Sequence, residues 1–282
     1  MAPALFDVNE TGTNDMAAAP ETVRALRSKL AALERPADLG ASDFFAFGLP
    51  GVDGPLGGGL ERAAVHEIFA QAAADATAAA GFALALALRA ADGGRIVWVR
   101  QDFADREAGR LDALGLAEFG LDPGQLLLVR ARDAADVLKA GEEAARCAAL
   151  GAVLIEPWGD PRVLDLNATR RLSLAAAASR VTALMVRVAA APAPSAASTR
   201  WTVRAAPSRP LEANAPGLPA FTINLLRHRA GVPPRQWRVE WDRDVSHFKS
   251  GDWPIAAPLP GRLVAVPAGR PVEEVQPLRR AG

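Results

Sequence analysis

Residues 65–77 read Val65-His66-Glu67-Ile68-Phe69-Ala70-Gln71-Ala72-Ala73-Ala74-Asp75-Ala76-Thr77, and an alanine-rich run of helical character continues to Ala90. A short apolar strand leads into a loop of small residues, and a helix follows from about Asp75. That is the layout of a phosphate-binding loop, which requires Gly-x-x-x-x-Gly-Lys-Ser/Thr. In that pattern Ala70 takes the place of the first glycine, Asp75 of the second and Ala76 of the lysine. Only the hydroxyl survives, as Thr77. Alanine adds a Cβ where the turn favours glycine. Loss of the lysine removes a cation. Asp75 puts a carboxylate where phosphate oxygens would lie. Two such charges about 4 Å apart repel by roughly 4 kcal/mol at an effective dielectric near 20, about a thousandfold in affinity. Asp75 is also a good N-cap for the helix that follows. The loop then carries a built-in anion in place of a bound one. An ordinary strand–turn–helix that never held nucleotide is the alternative.

Working outward from this loop, strands and helices alternate. Gly94 to Arg100 is an apolar strand ending near Gln101-Asp102, and helical spacing returns over Ala104 to Leu116. Gln125 to Arg130 is a strand, Ala134 to Leu150 an amphipathic helix, and Gly151 to Glu156 a strand closed by an acid. Asp165 to Arg180 is helical and Val181 to Val186 extended. Wholly apolar strands alternating with helices predict a parallel sheet covered on both faces. Later segments, Trp201-Thr202-Val203-Arg204, Phe221 to Arg229 and Gln236 to Trp241, alternate as antiparallel strands do. The stretch from Phe47 to Arg62 holds six glycines among Leu49, Val52, Leu56 and Leu60, which predicts tight turns pinned by apolar anchors. Asp102 and Glu156 end strands, where open α/β sheets place their chemistry. A solvated strand terminus accounts for each equally well.

On the N-terminal side, residues 1–19 read as a disordered lead. Residues 20–36 form an amphipathic helix that begins at Pro20, with Val23, Leu26, Leu30 and Leu33 on one face and Pro36 as its stop. Residues 37–244 are the main domain. Residues 245–282 read as a proline-rich tail with short apolar anchors such as Trp253. The helix face packs either on its own domain or on another chain.

The 282 residues carry 32 Lys+Arg and 32 Asp+Glu, a net charge of +0 that argues against bulk attachment to nucleic acid or membrane. A lone cysteine, Cys147, excludes a disulfide framework, and His66, His228 and His247 lack metal-ligand spacing. No cofactor and no metal are expected. No long charge-free apolar run and no leader pattern stand out, so a cytoplasmic location is expected.

Several stretches together resemble the core of RecA-type recombinases over residues 20 to 245. They are Glu67-Ile68-Phe69, the preceding Gly57-Gly58-Gly59-Leu60-Glu61-Arg62, Gly151-Ala152-Val153-Leu154-Ile155-Glu156, Trp201 to Arg204 and Phe221 to Arg229. The eroded loop and the start Leu49-Pro50-Gly51-Val52-Asp53 are similar to the ImuA family in particular. The resemblance implies an α/β RecA-like core with a mostly parallel sheet, flanking helices and antiparallel strands at the C-terminal side. It implies an accessory protein of SOS-associated translesion mutagenesis after DNA damage. Such a protein would be a non-catalytic adaptor coupling an assembly with an inactive Y-family polymerase relative to the RecA-type recombinase filament. The chain departs from active recombinases in three places. The loop lacks its lysine and second glycine. Arg187 and Val188 stand where a phosphate-sensing glutamine is expected. The segment Ala189 to Thr199 has no basic or aromatic residue to hold single-stranded DNA.

Partner-binding candidates are the helix face of Val23, Leu26, Leu30 and Leu33, for a partner or for self-association. The C-terminal strands add Arg227, Arg229, Trp237, Arg238 and Trp241, and the tail adds Trp253. Arginine with tryptophan suits interface anchors and also weak contact with single-stranded DNA. The rival readings are a residual nucleotide hydrolase using Thr77, Asp102 and Glu156, a single-strand binding module, and a division inhibitor of the SulA type.

Overall fold

The computed structural model describes residues 43–252. A two-stranded ribbon, β1 (Phe44–Phe45) with β2 (Leu60–Glu61), encloses helix α1 (Pro50–Leu56). The main sheet takes β3 (Val65–Ala70), β4 (Arg95–Gln101), β5 (Leu126–Ala131), β6 (Leu150–Glu156), β7 (Thr182–Arg187), β8 (Thr199–Ala205), β9 (Ala220–His228), β10 (Arg235–Asp242) and β11 (His247–Ser250). Between them lie α2 (Ala76–Ala91), α3 (Asp102–Glu107), α4 (Ala113–Glu118), α5 (Ala134–Ala145) and α6 (Leu166–Ser179).

The nine strands run in the order β11-β10-β9-β8-β3-β7-β6-β4-β5. From β5 to β8 all neighbours are parallel, and from β8 to β11 all are antiparallel. This is the α/β class expected, with a mostly parallel sheet, flanking helices and antiparallel strands at the C-terminal side. The sequence dictates the division. β3 and β7 are buried at every position, so they need cover on both faces and occupy the middle. In contrast, β8 alternates: Thr199, Trp201 and Val203 are buried while Arg200 and Thr202 are not. One face of the antiparallel half is therefore core and the other polar.

Helix α2 covers one face. Together with the turn before it, as Ala73–Ala91, it is long and apolar enough to span a membrane, yet more than half of it is buried in the core. Its Phe82 shares one core cluster with Phe47, Trp201, Phe221, Trp241 and Phe248. Helices α5 and α6, the latter through Leu172, cover the other face over Val99, Val153, Ile155 and Met185. Two glycines allow close approaches of backbone to backbone. Gly59, with φ +125°, would put a Cβ 2.3 Å from the Phe45 carbonyl oxygen, and Gly151 would put one 2.5 Å from Ala91 Cα.

Three expectations need correction. The glycine-rich stretch contains a helix, not turns alone. Pro50 suits the first turn of α1, and Gly57 closes it in the left-handed region. The Asp53 carboxylate then accepts the N–H groups of Phe47, Gly48 and Leu49 at 2.7, 3.0 and 2.9 Å. The helix expected over Ala104–Leu116 is broken into α3 and α4, with Gly109 at φ +85° between them. The domain does not end at Asp244. Strand β11 pairs with β10 from His247 to Ser250, and Phe248 is buried beside Phe47, Phe82 and Trp241. The N-terminal helix, the lead before it and the tail from Trp253 lie outside the described residues.

Candidate functional site

The loop after β3 ends in a single tight turn, Ala73–Asp75, before α2 begins. Asp75 occupies the N-cap position of α2, but its side chain makes no cap hydrogen bond there, contrary to expectation. Its Oδ2 accepts from the Ala72 N–H at 3.2 Å and its Oδ1 from the Ala205 N–H at 3.0 Å. The carboxylate thus ties the loop to the end of β8, beside a second tie from Gln71 N–H to the Val203 carbonyl at 2.9 Å. Ala70 and Ala76 are buried and Thr77 is exposed. A loop amide that would face an anion is already engaged by the chain's own carboxylate.

Asp102 and Glu156, read as strand-end acids, belong to one chain of ion pairs. Glu156 is 1% exposed. Its Oε2 accepts from Trp98 Nε1 and Arg100 Nε, both at 2.9 Å. Arg100 also pairs with Asp105, and Arg130 pairs with Asp105 at 2.9 Å and Asp102 at 3.1 Å. Burial pushes the Glu156 carboxyl above its ordinary pKa, against the pull of Arg100 and its hydrogen bonds. The network stitches β4, β5, β6 and α3 together, and Thr77 takes no part in it.

A second buried network, centred on Glu67, was not singled out in the sequence. Glu67 is 1% exposed. It accepts from Arg200 Nε at 2.9 Å and Ser195 Oγ at 2.7 Å, and it faces Arg187 at 3.8 Å. Arg187, at the position where a glutamine is expected in recombinases, reaches Asp160 at 2.9 Å and lies over the Phe69 ring at 5.2 Å. Burial lowers its pKa, offset by Glu67 and Asp160. The signal in the sequence was an acid, next to a histidine, inside a strand buried at every position.

The arginines of the C-terminal strands do not form one patch. Exposed Arg227 and Arg229 donate to the carbonyls of Ala197 and Ala196, at 3.0 and 2.9 Å. Arg200 faces Arg227 across the β8–β9 pair, Arg229 holds the next carbonyl, and burial and then these two neighbouring guanidiniums lower the Arg227 pKa. Arg200 and Arg227 line a cleft of about 320 Å³ with Pro192, Pro194 and Ser195. Elsewhere, Arg204, Arg235, Arg238 and Trp237 line an open cleft of about 620 Å³. Arg243 is separate again, donating to the Glu118 carbonyl. Trp237 is half-buried, with its Nε1 on the Gly51 carbonyl at 2.8 Å and Arg235 over its ring. Trp241 cannot be a free anchor. It is 0% exposed, stacked on Phe119, with Nε1 on the Phe119 carbonyl at 2.9 Å. Val23, Leu26, Leu30, Leu33 and Trp253 fall outside the described residues.

A third feature adjoins the loop. The N-terminal half of α2, with α4 and the ends of β8 and β9, encloses a mostly apolar groove of about 470 Å³. Thr77, Gly81, Leu84, Leu116, Phe119 and Phe221 line it.

Fold and loop together define a class: an α/β protein with a RecA-like core. No protein-family model matches the chain. It is similar to Protein ImuA of Caulobacter vibrioides strain NA1000 / CB15N, with 32% identity over 258 residues, covering 84% of this chain and 95% of the relative. Protein ImuA of strain ATCC 19089 / CIP 103742 / CB 15 matches equally, at 32% over 258 residues and the same coverage. The chain belongs to the ImuA family.

Proposed function

We propose that this chain is a non-catalytic, RecA-like adaptor in damage-inducible translesion mutagenesis. It would act in the cytoplasm and couple an assembly containing an inactive Y-family polymerase relative to the RecA-type recombinase filament. The observation that carries the reading is Asp75. Its carboxylate accepts from Ala72, a loop amide that a nucleotide-dependent relative would need free for phosphate, and it also ties the loop to Ala205 at the end of β8. The absence of a lysine at Ala76 supports it. So does Glu156, which is buried and held by Trp98 and Arg100 instead of facing a water. A fold that no longer responds to nucleotide is suited to constant docking.

Arg227 and Arg229, exposed beside Arg200, supply a positive surface that steers an acidic partner segment. Trp237, half-buried and braced by Arg235, is the aromatic that remains beside a cleft.

Calorimetry and pull-downs test the reading. The full chain shows no ATP affinity at millimolar nucleotide and no hydrolysis, and it retains the recombinase, the polymerase relative or both. Arg227→Glu with Arg229→Glu weakens that retention. Saturable ATP binding at micromolar nucleotide sinks the adaptor reading in favour of a residual hydrolase. Salt-dependent binding of single-stranded DNA, with no protein retained, favours the strand-binding module.

A further inference from the structure

We infer that the apolar groove beside the loop is the docking site of the chain's own N-terminal amphipathic segment, residues 20–35, packed in cis. Three observations meet here. The first is the groove itself. Its wall on α2 and the turn before it is made of small side chains, Ala74, Ala78, Ala80 and Gly81, which let another helix approach closely, and Leu84, Leu116 and Phe119 give it an apolar floor and side. A groove of this character has no charge to recognise and suits apolar side chains at helical spacing.

The second is the segment. At helical spacing the sequence puts Val23, Leu26, Leu30 and Leu33 on one apolar face. From Val23 to Leu33 such a helix rises about 15 Å. The lining from Ala74, in the turn before α2, to Leu84 on α2 covers the same number of residues, so the two apolar stretches match closely in length.

The third is reach. The described chain begins at Asp43, at the end of the sheet where α2 finishes. Arg62 donates both to the Phe44 carbonyl, at 3.3 Å, and to the Ala90 carbonyl, and Arg89 donates to the Ala46 carbonyl at 2.9 Å. Leu84 lies six residues before Ala90, about 9 Å along the helix. The eight residue steps from Arg35 to Asp43 span up to about 26 Å extended. The segment therefore lies along α2 with its C-terminal end toward Ala90 and its N-terminal end toward the loop. A partner helix carrying the same anchors gains the groove only by displacing it.

Hydrogen exchange on the full chain tests this. Amides of residues 24–35 should exchange at least about tenfold more slowly than in a solvated helix, equally at low and high protein concentration. Thr77→Lys, an exposed position on the groove wall, should abolish that protection while β3, β6 and β7 stay protected. Leu26→Asp with Leu30→Asp should do the same from the other side of the contact. Full-rate exchange in the unmodified chain overturns the inference. So does protection that persists in Thr77→Lys, and so does protection that grows with concentration, which would make a second copy the occupant.

Discussion

His66 lies fully buried in β3, and its protonation state follows from its neighbours. A backbone carbonyl can only accept, so Nε2–H donates to the Glu61 carbonyl at 2.8 Å. Trp201 Nε1 donates to Thr199 Oγ1, so the Thr199 hydroxyl proton is free to point at His66 Nδ1, 2.8 Å away. The ring is neutral and every polar atom is used. Burial lowers its pKa from 6.5 to about 4. Between those values the unfolded chain takes up a proton that the folded chain refuses. Stability is therefore complete above pH 6.5 and is lost as pH falls toward 4, by about 3 kcal/mol. Urea midpoints measured across that range should show this slope, and His66→Gln should be less stable at pH 7 but lack the His66 part of the slope. Asp75 makes a different residue-scale prediction. Asp75→Ala should cost about 1 kcal/mol through the lost tie from loop to β8. Faster hydrogen exchange at Ala205, with the first turn of α2 unchanged, identifies the tie as the cause. A lost helix cap would loosen the first turn of α2 instead.

At the scale of elements, β3 is fixed to β7 and β8 by charge as well as by backbone pairing. Glu67 sits between Arg187 and Arg200, and Ser195 brings the 189–198 connection onto the same carboxylate. Removing the acid leaves Arg187, only 3% exposed, with Asp160 as its remaining ion-pair partner. Glu67→Ala should therefore cost about 3 kcal/mol in urea unfolding, and Glu67→Gln, which can still accept from Arg200, should cost less. This network was hard to read in advance because its partners are 120 or more residues apart in sequence and meet only through strand order. The central strands were legible because they are apolar on both faces. Helix α1 was not, because its glycines and prolines signal turns while Asp53 gathers three N–H groups that local pattern cannot reveal. The segment after β4 misled for a related reason. Its apolar spacing continues through Gly109, but the left-handed φ there ends α3, and Asp112 starts α4 anew by accepting from Gly115 N–H at 2.8 Å. Of the site, the loop's composition was legible, whereas Trp241 could not be told from a surface tryptophan until the register placed it over Phe119.

At the scale of the whole molecule, the antiparallel extension is part of the core, which changes where the chain can be cut. Phe248 packs against Phe47, Phe82 and Trp241 at ring separations of 5.2, 5.6 and 5.1 Å, and its N–H donates to the Phe47 carbonyl at 3.0 Å. Lys249 pairs with Asp242 across the last two strands. Truncation after Asp244 removes all of this and bares the edge of β10. The loss of one buried aromatic alone costs about 3–5 kcal/mol, so this variant should unfold at much lower urea or fail to express. Truncation after Asp252 removes none of these contacts and should leave unfolding within about 0.5 kcal/mol of the full chain. Only the second cut can test the proposed partner contact in the tail. If Trp253 and the apolar residues beyond it anchor the polymerase relative or the recombinase, the chain ending at Asp252 should bind at least tenfold more weakly, about 1.4 kcal/mol. Trp253→Ala in the full chain should reproduce a good share of that loss. Equal binding by the two forms, measured by surface plasmon resonance with both partners, would remove the tail from the interface and leave Arg227, Arg229 and Trp237 as the surface to mutate next.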